Sequence, residues 1–224
     1  MAMGFNLSSG GGGGGGNDSI IPILKYDARA GRLSRRDYVN GEYINVDISR
    51  TFKAVADFEN VEVGFINFAT GSAPDFVVAR LGDTPVANPG GDYKQGCRLL
   101  VKLGKDCGGD LREMASNAKA FLKGIDALHT DYVAGLPANA GKLPVIALKD
   151  TVPVTTGEGA KKSTNYVPVF EIVSWVSRPE GLTYMPKARM SAPAVQPSNQ
   201  PPSTGSTKVA PPAAAPADSE DDFG

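Results

Sequence analysis

The residues best suited to chemistry in this chain are cations set among tyrosines. In IPILKYDARAGRLSRRDYVNGEY (residues 21–43), Lys25, Arg29, Arg32, Arg35 and Arg36 are opposed before Asp37 only by Asp27, with Tyr26, Tyr38 and Tyr43 interleaved. Guanidinium and ammonium groups pair with phosphate oxygens, and an exposed phenol ring offers a base a face to stack on. Together they can hold a single strand of nucleic acid without any catalytic group. An exposed hairpin with ordinary surface charges would account for the same residues. Further cations extend the pattern: Arg50 and Lys53, then Lys94, Arg98 and Lys102 after Tyr93, then Lys161 and Lys162 before Tyr166. Tyr26, Tyr38, Tyr93 and Tyr166 are the stacking candidates, whereas Phe52, Phe58, Phe170 and Trp175 are expected in the core.

Enzyme chemistry finds little to work with. His129 is the only histidine, so it has no second imidazole for a metal or a proton relay, and it reads as a helix-end cap or surface residue. The chain contains no GxSxG, HExxH, Walker or Rossmann glycine pattern. TTGEGAKKST (155–164) has the wrong glycine spacing for a phosphate loop and leads into a strand rather than a helix. Asp75, Asp83 and Asp92 sit in turn-like contexts without two-metal spacing. Cys97 and Cys107 form no CxxC pair and read as two reduced thiols, with a disulfide as the alternative. The expectation is a binding protein, not an enzyme, with no cofactor and no metal.

The elements that must position the basic groups are mostly strands. STNYVPVFEIVSWVSRP (163–179) is a dense β-branched and aromatic run with both faces apolar, as in a strand covered on two sides. Pro168 cannot donate to a ladder, which places its start at an edge or bulge and a regular central strand from Val169. Alternation marks further strands from Ile44 to Phe58, over 61–68 with a bulge or close approach at Gly64, over 76–81, over 97–103 and over 145–148. Gly31 and Asn40-Gly41 punctuate a short strand and hairpin before them. A helix is expected from Asp110, with Glu113 completing a capping box, to about Leu128. Residues 129–143 read as loop, and KDTVPVTTGEGAKKST as a long basic connector. The fold class is mainly β: an OB-like Greek-key barrel with one inserted helix and long loops, a β-sandwich being the alternative.

Composition divides the chain. Residues 1–19 form a flexible Gly-rich arm, 20–189 the folded domain, 190–217 a Pro/Ala/Ser-rich linker and 218–224 an acidic tail. The formal net charge of -1 conceals 22 Lys+Arg against 19 Asp+Glu in residues 20–189, with four acidic residues closing the chain. No run is long enough to cross a membrane as a helix, and the start lacks the pattern of a secretory signal, so a cytoplasmic location is expected.

The β-rich body, basic loops, low-complexity linker and acidic end Asp218-Ser219-Glu220-Asp221-Asp222-Phe223-Gly224 together resemble the single-stranded DNA-binding proteins encoded by bacteriophages. That resemblance implies an oligonucleotide-binding barrel and non-sequence-specific binding and protection of single-stranded DNA during replication or recombination, in the host-cell cytoplasm. It also implies a tail that recruits replication or recombination proteins, with Asp221, Asp222 and Phe223 in that role. The glycine after Phe223 departs from the family's terminal aromatic. Homo-oligomerisation is compatible with this reading. A structural or assembly protein and an RNA-binding module are the competing expectations.

Overall fold

Alternating β-branched and aromatic residues build ten strands within residues 21–69 and 73–187, the parts of the chain that the computed structural model describes. They are β1 (Ile23–Asp27), β2 (Arg32–Val39), β3 (Glu42–Asp47), β4 (Lys53–Ala56), β5 (Glu62–Asn67), β6 (Asp75–Arg80), β7 (Lys94–Leu103), β8 (Leu111–Ser116), β9 (Leu143–Thr156) and β10 (Ser163–Val176). One α-helix, α1 (Lys119–Gly135), separates β8 from β9. The arm 1–19, the linker and the acidic tail lie outside the described residues.

The fold is mainly β. The sheet runs β10-β9-β4-β7-β8-β1-β2-β3, with β5 paired to β7 and β6 to β5. Every pairing is antiparallel except β1 with β8. The sheet curls into a half-barrel whose flanks touch where the Tyr166 N–H donates to the Ala28 carbonyl at 2.7 Å. Leu24, Leu33, Phe52, Ala54, Leu99, Val101, Met114 and Ile146 fill the concave side. Phe121, Ile125, Leu128 and Tyr132 recur at helical spacing on α1 and close that core. The helix lies close to β10, since a Cβ on Gly124 would meet the Pro168 carbonyl oxygen at 2.5 Å.

Several expectations need correction. The helix starts nine residues later than Asp110, because Leu111–Ser116 is strand β8, its ladder to β7 spanning Cys97↔Ser116 to Lys102↔Leu111. Residues 129–135 are helical, and His129 is half-buried within α1 with its ring 5.8 Å from those of Phe58 and Tyr132. The long basic connector is mostly ladder: β9 and β10 pair from Leu143↔Val176 out to Thr156↔Ser163, leaving only 157–162 as a turn. β10 pairs with β9 alone, so it is an edge strand throughout, with bulges at Val169/Phe170 and Ile172/Ser174; α1 covers one side of it, the second bulge brings Trp175 to that side with Phe170 and Ile172, and Val173 is left exposed. Gly64 marks a close approach rather than a bulge: its ladder is unbroken, and a Cβ there would lie 2.3 Å from the Val77 carbonyl oxygen.

After β10 the chain returns across the outer face of the sheet. Arg178 bridges Asp57 (2.8 Å) and Glu59 (2.7 Å), which holds its guanidinium well above its ordinary pKa. Leu182 is buried against Leu100 and Leu143. The Tyr184 hydroxyl donates to Glu62 Oε1 at 2.9 Å, and Lys187 Nζ lies 3.2 Å from Glu113 Oε2. This strap covers much of the β7–β8 exterior.

Candidate nucleic-acid interface

Strand alternation divides the basic residues before any contact is considered. In the β1–β2–β3 register Lys25 lies opposite Ser34, Arg36 opposite Asn45 and Tyr38 opposite Tyr43. These six share the outer face with Arg32 and Asp47, while Leu24, Tyr26, Leu33 and Arg35 share the inner one. The two-residue turn Asn40-Gly41, both at positive φ (52° and 90°), fixes this register.

The outer face carries cations beside accessible rings. Tyr38 and Tyr43 are 65% and 63% exposed, with centroids 4.9 Å apart. The Arg36 guanidinium sits 4.3 Å above the Tyr43 ring, an arrangement that presents a flat, positively charged surface. Lys25 is exposed and makes no ion pair among the described residues. Arg32 is neutralised by Asp47 at 3.0 Å. Hydrogen bonds from Ser49, aided by Arg32, hold the Asp47 carboxyl below its ordinary range.

Beside Lys25 and Arg36 the face is overhung by Phe68 and Pro74, which flank the β5–β6 connection, and the space between is a cleft of about 430 Å³. Phe68 is 40% exposed, its ring edge-on to buried Phe76 at 6.4 Å. A mainly apolar groove of about 450 Å³ between β7 and α1 shares no lining residue with this cleft.

The remaining candidates are scattered. Arg29 is exposed at the β1–β2 turn, against which Tyr166 packs: a Cβ on Gly31 would lie 3.1 Å from Tyr166 Cβ. Lys161 and Lys162 are exposed at the end of the β9–β10 arm. Arg50 precedes β4, while Lys53 and Lys102 lie on β4 and β7, separated from β1 by β8 in the sheet. Lys94 is exposed at the start of β7, and the Tyr93 hydroxyl is bound to the Asp75 carboxylate, which raises its pKa.

Three candidates are withdrawn from any surface role by burial or pairing. Tyr26 is 8% exposed, donates to the Tyr166 carbonyl at 2.9 Å and is pushed up to about 12 by burial, with Asp27 adding to the effect. Arg35 points inward, pairs with Asp37 at 3.0 Å and donates to the Cys107 carbonyl at 3.0 Å. Arg98 is 2% exposed and bound by Glu62 and Glu113; burial opposes its charge, but the two carboxylates outweigh that and raise its pKa. Tyr43 and Phe68 were absent from the sequence-derived stacking set and are brought to the face. Tyr43 has the same outward parity as Asn45, a signal that was available; Phe68 depends on how the β5–β6 hairpin folds over and carried none. Asp221, Asp222 and Phe223 lie outside the described residues.

No family model, no curated protein and no solved structure matches this chain.

Proposed function

We propose that this protein binds single-stranded DNA without strong sequence preference, protecting it during replication or recombination, through the outer face of β1–β2–β3. The observation that carries this is the adjacency of Lys25 and Arg36 to the exposed pair Tyr38 and Tyr43. It supplies phosphate contacts and base platforms on one surface. Duplex DNA hides its base faces, so exposed rings favour a single strand. The barrel is proposed to be of the oligonucleotide-binding type. Connectivity supports this: β4, β7 and β8 are antiparallel neighbours with the β5–β6 hairpin inserted between β4 and β7 in sequence, α1 follows, and β9 pairs with both β4 and β10. Here β1 is inserted beside β8, and the strap covers the β7–β8 exterior, so β1–β2–β3 replaces the strand pair that usually presents bases in such barrels. The acidic end with Phe223 is proposed to recruit replication or recombination proteins.

Titration with fluorescent oligo-dT, oligo-U and duplex DNA at low and moderate salt tests this function. Preference for oligo-dT over duplex, weakening linearly in log affinity with log salt, is expected. Equal or tighter duplex binding, or none at low salt, rejects it in favour of an assembly role; preference for oligo-U assigns it to RNA.

A further inference from the structure

The cleft under Phe68 has polar groups that a stacking surface does not need. Its floor carries Lys25, Arg36 and Asn45 from three adjacent strands, and Asn117, just after β8, completes it. The Asn117 Nδ2 donates to the Ile66 carbonyl at 3.2 Å. A carbonyl only accepts, so the amide orientation is fixed and Oδ1 remains as an acceptor, unpaired among the described residues. The volume of about 430 Å³ falls in the range of small-molecule sites. The Phe68 ring, braced by Phe76, supplies an apolar wall, and the two cations supply partners for a phosphate.

We infer that this cleft seats a single nucleobase with its phosphate, and that it favours an amino-bearing base over thymine. The inference rests on the strand-binding reading above and adds a discrete position of base discrimination to it. A fixed carbonyl acceptor can receive the cytosine 4-amino group, whereas thymine presents a carbonyl oxygen and a methyl group at the same edge. With its 4-position held at Oδ1, thymine leaves two acceptors facing each other without a proton, and an unmade buried hydrogen bond is costlier than a made one is favourable. Phe68 can stack on either pyrimidine, so discrimination falls to the amide. One neutral hydrogen bond corresponds to about a three- to tenfold difference in affinity.

The test compares oligo-dC with oligo-dT of equal length, using the full chain and fluorescence anisotropy. Expected is about three- to tenfold tighter binding of oligo-dC, a ratio that falls to near one in Asn117→Ala. Because Asn117→Ala also removes the bond to Ile66, Phe68→Ala is the second variant: its ring is exposed, its fold is expected to survive, and its dC/dT ratio should also shrink. Equal wild-type affinities, or a ratio that persists in both folded variants, overturns the cleft assignment while leaving strand binding intact. Failure to bind either oligomer overturns the strand-binding reading itself. Competition separates the sources of the base. Free dCMP at millimolar concentration that abolishes the dC/dT ratio shows that the cleft accepts a free nucleotide; no effect assigns it to a base carried on a strand. Loss of the ratio with inorganic phosphate alone rejects a base-reading role.

Discussion

Arg98 stands between Glu62 and Glu113, and the side chains of all three are at most 3% exposed. Each carboxylate is also held by the strap, Glu62 by the Tyr184 hydroxyl and Glu113 by Lys187. A cation whose spacing suggested a phosphate contact is instead consumed in tying β5, β7, β8 and residues 178–187 together. Buried pairs of this kind add little over well-packed apolar side chains, but removing one member strands the others.

Arg98→Ala should therefore destabilise the fold by about 3–5 kcal/mol, since two buried carboxylates lose their shared cation. Urea denaturation of the variant beside the wild type measures this. A loss under about 1 kcal/mol, within the range of exposed pairs, would show that the cage is open to water.

Neighbouring arginines should behave oppositely. Arg36→Ala and Lys25→Ala should each weaken oligo-dT binding and reduce the salt slope by roughly 0.7 for every phosphate that is no longer neutralised. Arg35→Ala should leave the slope unchanged and lower stability, because its guanidinium serves Asp37 and the Cys107 carbonyl. Affinities measured across a series of salt concentrations, with thermal melts of each variant, separate the two effects.

Tyr38→Ala and Tyr43→Ala should each cost about 1–3 kcal/mol of single-strand affinity if each ring stacks on one base. Both side chains are largely exposed, so stability should change by less than about 0.5 kcal/mol. Quenching of tyrosine fluorescence by oligo-dT should fall in each variant, and quenching that survives the double change would place the stacking elsewhere.

Alkaline pH should unfold the protein. Burial raises the Cys97 thiol from 9.0 to about 12, and raises Tyr26 and Tyr184 from 10.0 to about 12, with Asp27 and a Glu62 hydrogen bond assisting the tyrosines. Each group is neutral when protonated and holds its proton more tightly when folded. Their contribution is thus complete below about pH 9 and is lost as pH rises from 9 through 12. Melting temperature should decline across that window, and Cys97 should resist alkylation at about pH 8 until denaturant is added. Rapid alkylation of the folded chain would contradict its burial.

The β-rich body, the Asn40-Gly41 hairpin and the alternation of Cys97, Leu99, Val101 and Leu103 were legible because strand periodicity and turn chemistry are local. β8 was not, since Leu111, Met114 and Ala118 recur at helical spacing and Asp110 looked like a cap; pairing with β7 overrode that local pattern and sent Leu111 and Met114 to opposite faces. Tyr26 and Arg35 could have been assigned inward from their shared parity with Leu24 and Leu33. Arg98 could not, because its outward parity is correct and only the return of residues 178–187 buries it.

The contact between Ala28 and Tyr166 also governs how the chain can fold. Tyr26 and Tyr166, which hydrogen-bond beside it, are 140 residues apart in sequence. The barrel flanks can meet only after nearly all the described body has been made, and pairing of such high sequence separation is slow because the intervening loop entropy is lost first. During synthesis β1 must wait for β8, its parallel neighbour, and the β1–β2 turn must wait for Tyr166 on β10. Until Tyr166 arrives, the flanks of the sheet stand open. The vulnerable interval for misassociation is therefore built into the order of the strands along the chain.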